Sequence, residues 1–261
     1  MQDDALERRE RELRENGWTL LQSVLSAADV ARLVQAVDAA YVEQRAIQLR
    51  NGVGEGADGT VHHLPCADRV FLEFLERGDC QPLLERFFGG PYILNTFGAV
   101  LNLPTDPSYV ARVHRDQRTF SNGVRLMAQL LVMLDDFTED NGATYLMSGS
   151  HRSGEKPPDE VFFREAVRAV APAGSIVVFD SNLWHAAGTN RSDRSRRALT
   201  LAFTRPFIKQ QFDYPRALGY DRGASYSAAL RQLLGYNARV PASLDEWYQP
   251  PERRLYKRDQ G

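Results

Sequence analysis

Two short segments hold the side chains with the clearest capacity for chemistry. One is His114-Arg115-Asp116 near the middle of the 261-residue chain, and the other begins at Trp184-His185. Two imidazoles and one carboxylate on one face of a metal leave the opposite coordination positions open. A non-haem Fe(II) oxygenase needs those positions for a co-substrate and O₂. Arg196, downstream of His185, offers a planar fork for a carboxylate.

The His-X-Asp spacing suits two ligands of one metal. Successive side chains of an extended segment point to opposite faces, so His114 and Asp116 point to the same side and one metal can bind both. The triplet alone is weak evidence, because it occurs by chance in many chains and is then more often part of a surface loop. Its weight depends on the surrounding sequence.

The surrounding sequence carries several recognisable segments. They are 102–104 (NLP), 134–142 (LDDFTEDNG), 148–152 (SGSHR), 173–180 (AGSIVVFD) and 190–197 (NRSDRSRR). With these segments, most of the chain resembles the phytanoyl-CoA dioxygenase family of Fe(II)/2-oxoglutarate oxygenases. The resemblance implies that His114, Asp116 and His185 bind iron. It also implies that Arg196 binds the far carboxylate of 2-oxoglutarate, with Asn102 and, more weakly, Gln129 as further hydrogen-bond donors to it.

Strand alternation distinguishes Arg196 from its neighbour Arg197. From residue 196 the sequence reads RRALTLAFT, so one face carries Arg196 and small residues, and the other carries Arg197 and large apolar ones. The small face suits a ligand cavity, whereas the apolar face is suited to packing against helices. We therefore predict that Arg196 faces the co-substrate. The alternative is that both arginines are solvated at the strand entrance.

Composition indicates an ordinary globular enzyme. The chain is 43% hydrophobic and 25% charged, with a formal net charge of −2. Neither the charge nor a basic run favours nucleic acid as a partner. We expect no membrane span and no secretory signal, because the first residues are charged and no apolar run is long enough. We expect Cys66 and Cys80 to be free thiols in a cytoplasmic protein.

The first 90 residues are predicted to be mainly helical. The segment 26–29 (SAAD) is a variant capping box that opens a helix with an apolar stripe, and 70–88 reads as a further helical stretch. The stripe is expected to cover the apolar face of the strand that begins at residue 196. Near the C-terminus, a helix is expected over 226–236, followed by an aromatic tail with Trp247 and Tyr248 packed on the barrel or on a second subunit.

Strand-like segments dominate from residue 91 to residue 206. They are 92–103, 126–134, 143–147, 175–179 and 197–204. The predicted fold is mainly β with flanking α: a double-stranded β-helix, or cupin-like jelly-roll barrel, with N-terminal helices packed on one sheet. The whole chain, 1–261, is predicted to be one domain with helical support (1–90), a jelly-roll core (91–206) and a C-terminal extension (207–261). The resemblance places the iron in the mouth of the barrel.

Other polar clusters favour structural roles. Four glycines in 51–60 lack the spacing of a phosphate loop and predict a mobile loop. His62-His63 follows it, and we expect this pair to be solvated, with a place near substrate or metal as the alternative. The acidic cluster in 135–140 and His151 are interpreted as turn or packing residues.

The resemblance implies that 2-oxoglutarate and O₂ are consumed while a substrate C–H bond is oxidised, with succinate and CO₂ as products. Asp116 favours hydroxylation, desaturation or ring closure over halogenation, because related halogenases replace this aspartate by a small residue. The substrate is expected to contact the glycine-rich loop with His62 and His63, 117–120 and 207–214. Their aromatic and polar side chains, among them Arg118, Lys209 and Gln210, suit a polar, ring-bearing small molecule. An acyl-CoA is an alternative. By analogy, the role is natural-product tailoring, as in antibiotic biosynthesis.

Two other functions remain open from the sequence. A cupin-like isomerase or binding protein would keep the His-Asp-His metal, as Zn(II) or Mn(II), without 2-oxoglutarate, but it would not need Arg196. A non-catalytic scaffold protein is the second alternative, but nothing in its structure would require His114, Asp116, His185 and Arg196 together. The oligomeric state, monomer or homodimer, is also open.

Overall fold

Antiparallel strands form two sheets in the computed structural model, which describes residues 2–54, 56–104 and 111–260. The larger sheet has six strands in the order β1-β7-β4-β9-β3-β2, and the smaller has three in the order β6-β5-β8. The strands are β1 (Trp18–Leu21), β2 (Thr60–Val61), β3 (Ile93–Asn102), β4 (Met127–Met133), β5 (Tyr145–Leu146), β6 (Val167–Arg168), β7 (Ile176–Asp180), β8 (His185–Ala186) and β9 (Arg196–Thr204).

Helices precede and follow the strand-rich part of the chain. They are α1 (Gln2–Asn16), α2 (Ala27–Arg50), α3 (Arg69–Arg77), α4 (Gln81–Phe88), α5 (Asp159–Glu165), α6 (Tyr214–Leu218), α7 (Ala228–Leu233) and α8 (Leu244–Trp247). The predicted cap of α2 is present, because the Ser26 hydroxyl accepts a hydrogen bond from the Asp29 amide. The predicted stretch 70–88 is two helices, since α3 ends at Gly78 in a left-handed conformation (φ 66°).

The outer face of the larger sheet packs against the N-terminal helices. Leu199, Leu201 and Phe203 of β9 are buried in one apolar cluster with Val30, Leu33 and Val37 of α2. This cluster also contains the phenylalanines of α3 and α4. The predicted role of the large apolar face of β9 is therefore confirmed, as is the packing of helices on one sheet.

The inner face of the larger sheet packs against the smaller sheet. Leu131 and Met133 of β4, Phe179 of β7 and Ala198 of β9 are buried together with Leu146 of β5. Alternate residues of β4 and β9 thus enter two different cores, as strand geometry requires. The architecture is mainly β with flanking helices, as predicted, and it leaves an inner surface where a site can form.

Some elements differ from the predictions. β1 and β2, both within the first 90 residues, join the larger sheet, although the sequence suggested mainly helices there. Trp247 and Tyr248 are 62% and 77% exposed, so they do not pack on the sheets. Cys66 and Cys80 are unpaired, as expected. Glu55, in the glycine-rich loop, lies outside the described residues. Across those described residues, we find no helix with the length and apolarity that crossing a bilayer requires.

Candidate metal centre

His114, Asp116 and His185 meet at the inner face of the smaller sheet. The backbones of His114 and His185 form a two-way bridge beside β8, with N···O distances of 3.0 and 2.8 Å. One metal-binding atom from each of the three residues lies within 4.8 Å of the other two. The predicted ligands are therefore brought together although the chain separates them widely. Their spacing fits one metal ion bound by two imidazoles and a carboxylate.

Backbone carbonyls orient both imidazoles. His114 Nδ1 lies 2.7 Å from the Arg112 carbonyl oxygen, and His185 Nδ1 lies 3.0 Å from the Leu183 carbonyl oxygen. The Nε2 atoms then face Asp116, at 3.8 Å from Oδ1 for His114 and 3.6 Å from Oδ2 for His185. An imidazole that donates its Nδ1 proton to a carbonyl presents a free Nε2 lone pair, which is the usual arrangement of a metal-binding histidine.

Burial favours the metal-binding form of His185. This side chain is 7% exposed and packs edge-on against the ring of Phe179, with centroids 5.0 Å apart. Burial lowers the pKa of His185, although the charge of Asp116 opposes the shift. The imidazole is therefore neutral at physiological pH and able to bind a metal without first losing a proton.

Arg196 is a buried cation without a carboxylate partner in the described part of the chain. It is 3% exposed, its Nη2 donates to the Gly142 carbonyl at 3.0 Å, and its guanidinium lies 4.0 Å from the ring centre of Phe137. Its Nε has no hydrogen-bond partner among the described residues. Burial lowers the pKa of Arg196 to about 10, so the charge persists at neutral pH. A buried donor left unpaired costs free energy, and a carboxylate from a ligand would satisfy it.

Close backbone packing around Gly142 fixes the position of the carbonyl that accepts the hydrogen bond from Arg196. Gly142 has φ +81° and lies against the Gly188 carbonyl and the Asn102 amide, so a side chain at this position would overlap both. The Asn102 amide donates to the Gly188 carbonyl at 3.0 Å, and its backbone oxygen accepts from Asn190. Asn102 therefore holds this loop together and does not line the cavity. Both hydrogen bonds give Asn102 a structural role in this loop.

A cavity of about 620 Å³ joins the metal ligands to Arg196. This volume is within the range of small-molecule sites. Gln129 lines the cavity at 8% exposure, and its amide makes only a weak 3.8 Å contact with Met127 Sδ. Thr200 and Ala202, from the small face of β9, line it as well, as alternation predicted. Arg197 points the other way and pairs with Asp38 of α2 and with Asp135.

The histidine pair after the glycine-rich loop also lines this cavity, so the expectation of a solvated pair is wrong for His63. The His63 ring stacks on Phe212 with centroids 4.0 Å apart, and His63 Nδ1 lies 3.3 Å from the Tyr214 hydroxyl. His63 adopts a left-handed backbone conformation, φ 54°, which is uncommon outside glycine and is found at functional sites. His62 is exposed at the rim.

Only some of the other residues expected to contact substrate line the cavity. Gln211 and Arg118 line the cavity, but the side chain of Gln210 donates to the Leu94 carbonyl, and the Lys209 carbonyl accepts from Asn95. Neither Lys209 nor Gln210 is at the cavity. The acidic cluster has structural contacts, since Asp135 binds Arg197 and Asp136 accepts from the Ala173 amide.

Several cavity residues were not predicted from the sequence, among them Arg112 and Thr144. Arg112 is two residues before His114, so the alternation used for His114 and Asp116 also indicates Arg112, although the intervening Val113 and Arg115 line the cavity too. Thr144 lies just before β5 and had no distinguishing signal. Extending the His-X-Asp alternation by one step towards the N-terminus would have found Arg112, whereas Arg118 already lay in the predicted segment 117–120.

The pKa of His63 predicts a pH dependence of stability. Burial, reinforced by His62, lowers the pKa of His63 from 6.5 to about 4. As the pH falls below about 6.5, His63 binds a proton in the unfolded chain but stays neutral in the folded chain. The free energy of unfolding therefore decreases towards pH 4. We expect this residue to account for about 1 kcal/mol of the loss between pH 7 and pH 5, after solvent screening.

The measurement is urea unfolding of metal-free protein at both pH values, with His63→Asn as the variant. Asparagine tolerates the left-handed backbone but does not titrate. The variant should lose less stability on acidification than the wild type. Equal losses in both proteins would contradict the assignment.

Comparison with known proteins agrees with this geometry. The model of the family described as Phytanoyl-CoA dioxygenase (PhyH) matches residues 13–198. The chain belongs to the phytanoyl-CoA dioxygenase family. A Mycobacterium tuberculosis protein of uncharacterised function is 36% identical over 255 residues, covering 94% of this chain and 92% of that protein. A dioxygenase of Aspergillus fumigatus is 26% identical over 253 residues, covering 93% of this chain and 74% of its own length. Family and relatives together support a non-haem oxygenase.

Solved structures of this fold include two similar chains. AviO1 from Streptomyces viridochromogenes Tue57 has a TM-score of 0.60 at 22% identity, covering 78% of this chain and 96% of its own. SnoN, described as a non-haem alpha-ketoglutarate-dependent epimerase from nogalamycin biosynthesis, has a TM-score of 0.58 at 23% identity, covering 77% and 83%. These likenesses support the predicted fold class for this member of the phytanoyl-CoA dioxygenase family.

Proposed function

We propose that this protein is an Fe(II)- and 2-oxoglutarate-dependent dioxygenase that oxidises a C–H bond of a small polar metabolite. The observation that carries the proposal is the position of Arg196. It is a buried, charged guanidinium with an unpartnered Nε, and it lines the same cavity as His114, Asp116 and His185. A metal site and an unpaired cation in one cavity fit a ligand that has a metal-chelating end and a distant carboxylate, as 2-oxoglutarate has.

Different side chains of this site would bind the iron and the 2-oxoglutarate. His114, Asp116 and His185 would hold the iron, and Arg196 would hold the far carboxylate of 2-oxoglutarate through charge-assisted hydrogen bonds. Gln129 is the proposed additional donor, because its amide is nearly free in the cavity. Iron, 2-oxoglutarate and O₂ together supply the oxidation of the C–H bond, with succinate and CO₂ as products.

The walls of the cavity position the reactants and limit water. Phe179, whose ring packs against His185, and Leu131 line the cavity, and such apolar walls exclude solvent and strengthen the electrostatic contacts of Arg196. The His63 and Gln211 side chains line the cavity from segments outside the core strands. Substrate would enter there. Hydroxylation, desaturation and ring closure all begin with the same C–H bond, and the described residues favour none of them.

A role in natural-product tailoring, such as antibiotic biosynthesis, is the proposed context. Its support is the similarity to SnoN, whose description places it in nogalamycin biosynthesis, and to fungal proteins named as dioxygenases. A metal-dependent cupin without 2-oxoglutarate is the competing function. No feature of the cavity favours it, and the unpaired Arg196 counts against it.

An anaerobic titration tests the proposed cofactors. Adding Fe(II) and then 2-oxoglutarate to metal-free protein should produce the weak visible charge-transfer band of a chelated keto acid, because the cavity has room beside the three ligands. Glutarate, which lacks the keto group, is the matched control and should give no band. Bound iron without a band in the presence of 2-oxoglutarate would refute the proposal in favour of the metal-cupin function.

A further inference from the structure

Two arginines flank the metal ligands along the chain. Arg112 lies two residues before His114, and Arg118 lies two residues after Asp116. Both arginines line the cavity and both are exposed. Among the described residues, neither side chain makes a hydrogen bond or an ion pair. Two exposed guanidinium groups therefore lie at the mouth of a site whose deeper part holds the predicted metal ligands.

The charges that line this cavity are predominantly positive. Asp116 is the only carboxylate among the described lining residues, and it belongs to the metal site. The arginines of the lining are Arg112, Arg115, Arg118 and Arg196. Arg115 differs from the two arginines at the mouth, because its guanidinium packs on the rings of Phe120 and Trp184, at 5.5 and 5.2 Å, and its Nη1 is buried, with no hydrogen-bond partner among the described residues.

The proposed cofactors do not neutralise the arginines at the mouth. Fe(II) and Arg196 carry the positive charges of the inner site, and Asp116 and the dianion of 2-oxoglutarate balance them in full. His62 and His63 add no charge at neutral pH, since partial desolvation of each ring lowers its pKa. Among the described lining residues, none compensates the charges of Arg112 and Arg118 when the inner site is complete, so the mouth would attract an anion.

We propose that the substrate carries an oxyanion, a carboxylate, sulfate or phosphate group, which Arg112 and Arg118 bind while the carbon to be oxidised reaches the metal centre. This proposal rests on the proposed function, since it concerns the substrate of the same site. The planar forks of two arginines match the oxygen atoms of such groups in geometry and in charge. The anionic end would fix the orientation of the substrate and therefore the position that is oxidised.

Phenyl phosphate, which joins an oxyanion to a small apolar ring, is the probe for this site. The protein is loaded with saturating 2-oxoglutarate and with Zn(II), which does not support the oxidation. Binding is then measured by calorimetry. We expect phenyl phosphate to bind at least tenfold more tightly than benzyl alcohol. Phenyl sulfate and benzoate identify which oxyanion the arginines prefer. Raising the salt concentration should weaken the binding of the anions and leave that of benzyl alcohol unchanged.

The double variant Arg112→Ala/Arg118→Ala should bind phenyl phosphate at least tenfold more weakly than the wild type. Arg11→Ala, at an exposed arginine of α1, is the matched control and should bind it normally. Equal affinity for phenyl phosphate and benzyl alcohol, or an unchanged affinity in the double variant, would overturn the proposal. The second outcome would show that the phosphate binds the metal and not the arginines.

Loading with 2-oxoglutarate is measured separately, so the two proposals fail in different ways. The double variant should keep the wild-type affinity for 2-oxoglutarate, because Arg196 is unchanged. If 2-oxoglutarate does not bind the wild type, the proposed function fails. The phenyl phosphate titration of the Zn(II) form then still decides whether Arg112 and Arg118 bind an oxyanion.

Discussion

Arg196→Ala is expected to weaken 2-oxoglutarate binding by about 30-fold or more while the protein stays folded. Removing one partner of a buried charge pair costs about 2–5 kcal/mol in binding free energy, and about 1.4 kcal/mol corresponds to a factor of ten in Kd. Arg196 is 3% exposed, so solvent cannot replace the contacts that the ligand loses. Iron binding should be unaffected, since Arg196 is not a ligand. The visible band should therefore require far more 2-oxoglutarate than in the wild type.

Arg197→Ala is the matched control, because it removes the same side chain from the opposite face of β9. Arg197 donates to Asp38 at 2.8 Å and pairs with Asp135 at 3.3 Å, so its loss removes two partly exposed ion pairs between β9 and its neighbours. We expect a decrease of about 1 kcal/mol in the free energy of unfolding, with normal 2-oxoglutarate affinity. Arg196→Ala should be milder for the ligand-free fold, because it removes a buried cation that lacks a carboxylate partner among the described residues.

Calorimetric titration of 2-oxoglutarate into the Zn(II) form and urea unfolding of the metal-free form separate the two arginines. The expected pattern is lost affinity in one variant and lost stability in the other. Arg196→Lys keeps the charge but not the planar fork, so it should recover only part of the affinity. Normal 2-oxoglutarate binding by Arg196→Ala, or lost binding by Arg197→Ala, would contradict the assignment of faces.

The two faces of β9 were predictable because the side of the sheet to which a residue points depends only on its position along the strand. A shift of one residue would exchange Arg196 with Arg197 and would also expose Leu199 and Leu201 to the cavity. Burial of the apolar residues against α2 therefore fixes the position of Arg196. The cluster of His114, Asp116 and His185 was predictable for a similar reason, since His114 and Asp116 lie close in sequence and the family resemblance supplied His185.

Contacts between distant segments were not predictable in the same way. The place of His63 depends on Phe212 and Tyr214, which lie far along the chain, and no local pattern indicates that these segments meet. Asn102 was expected to contact 2-oxoglutarate, but its direction is set by the Gly188 carbonyl across the loop. The short strand β1 was missed because its four residues follow a helix directly and are stabilised by pairing with β7.

The second large effect is expected at the metal ligands themselves. Asp116→Ala and His114→Ala should each weaken metal binding by more than about 100-fold, because even the loss of a residue that only supports a ligand costs about 10–100-fold. Both side chains are 31% exposed, so neither substitution opens a cavity in the core. The metal-free variants should consequently unfold at nearly the wild-type temperature, and the loss should be confined to binding.

Thermal unfolding with and without Zn(II) measures this loss without any need for substrate. A ligand that binds only the folded state stabilises it by about 2.7 kcal/mol at a free concentration of 100 Kd, so the wild type should melt at a higher temperature once the metal is added. The two variants should show almost no rise, and Asp159→Ala, at an exposed carboxylate paired with Lys156, should respond like the wild type. A full rise in Asp116→Ala would mean that the metal binds elsewhere. Because the ligands must be deprotonated, the rise in wild type should also shrink as the pH is lowered, and the depressed pKa of His185 should delay that decline.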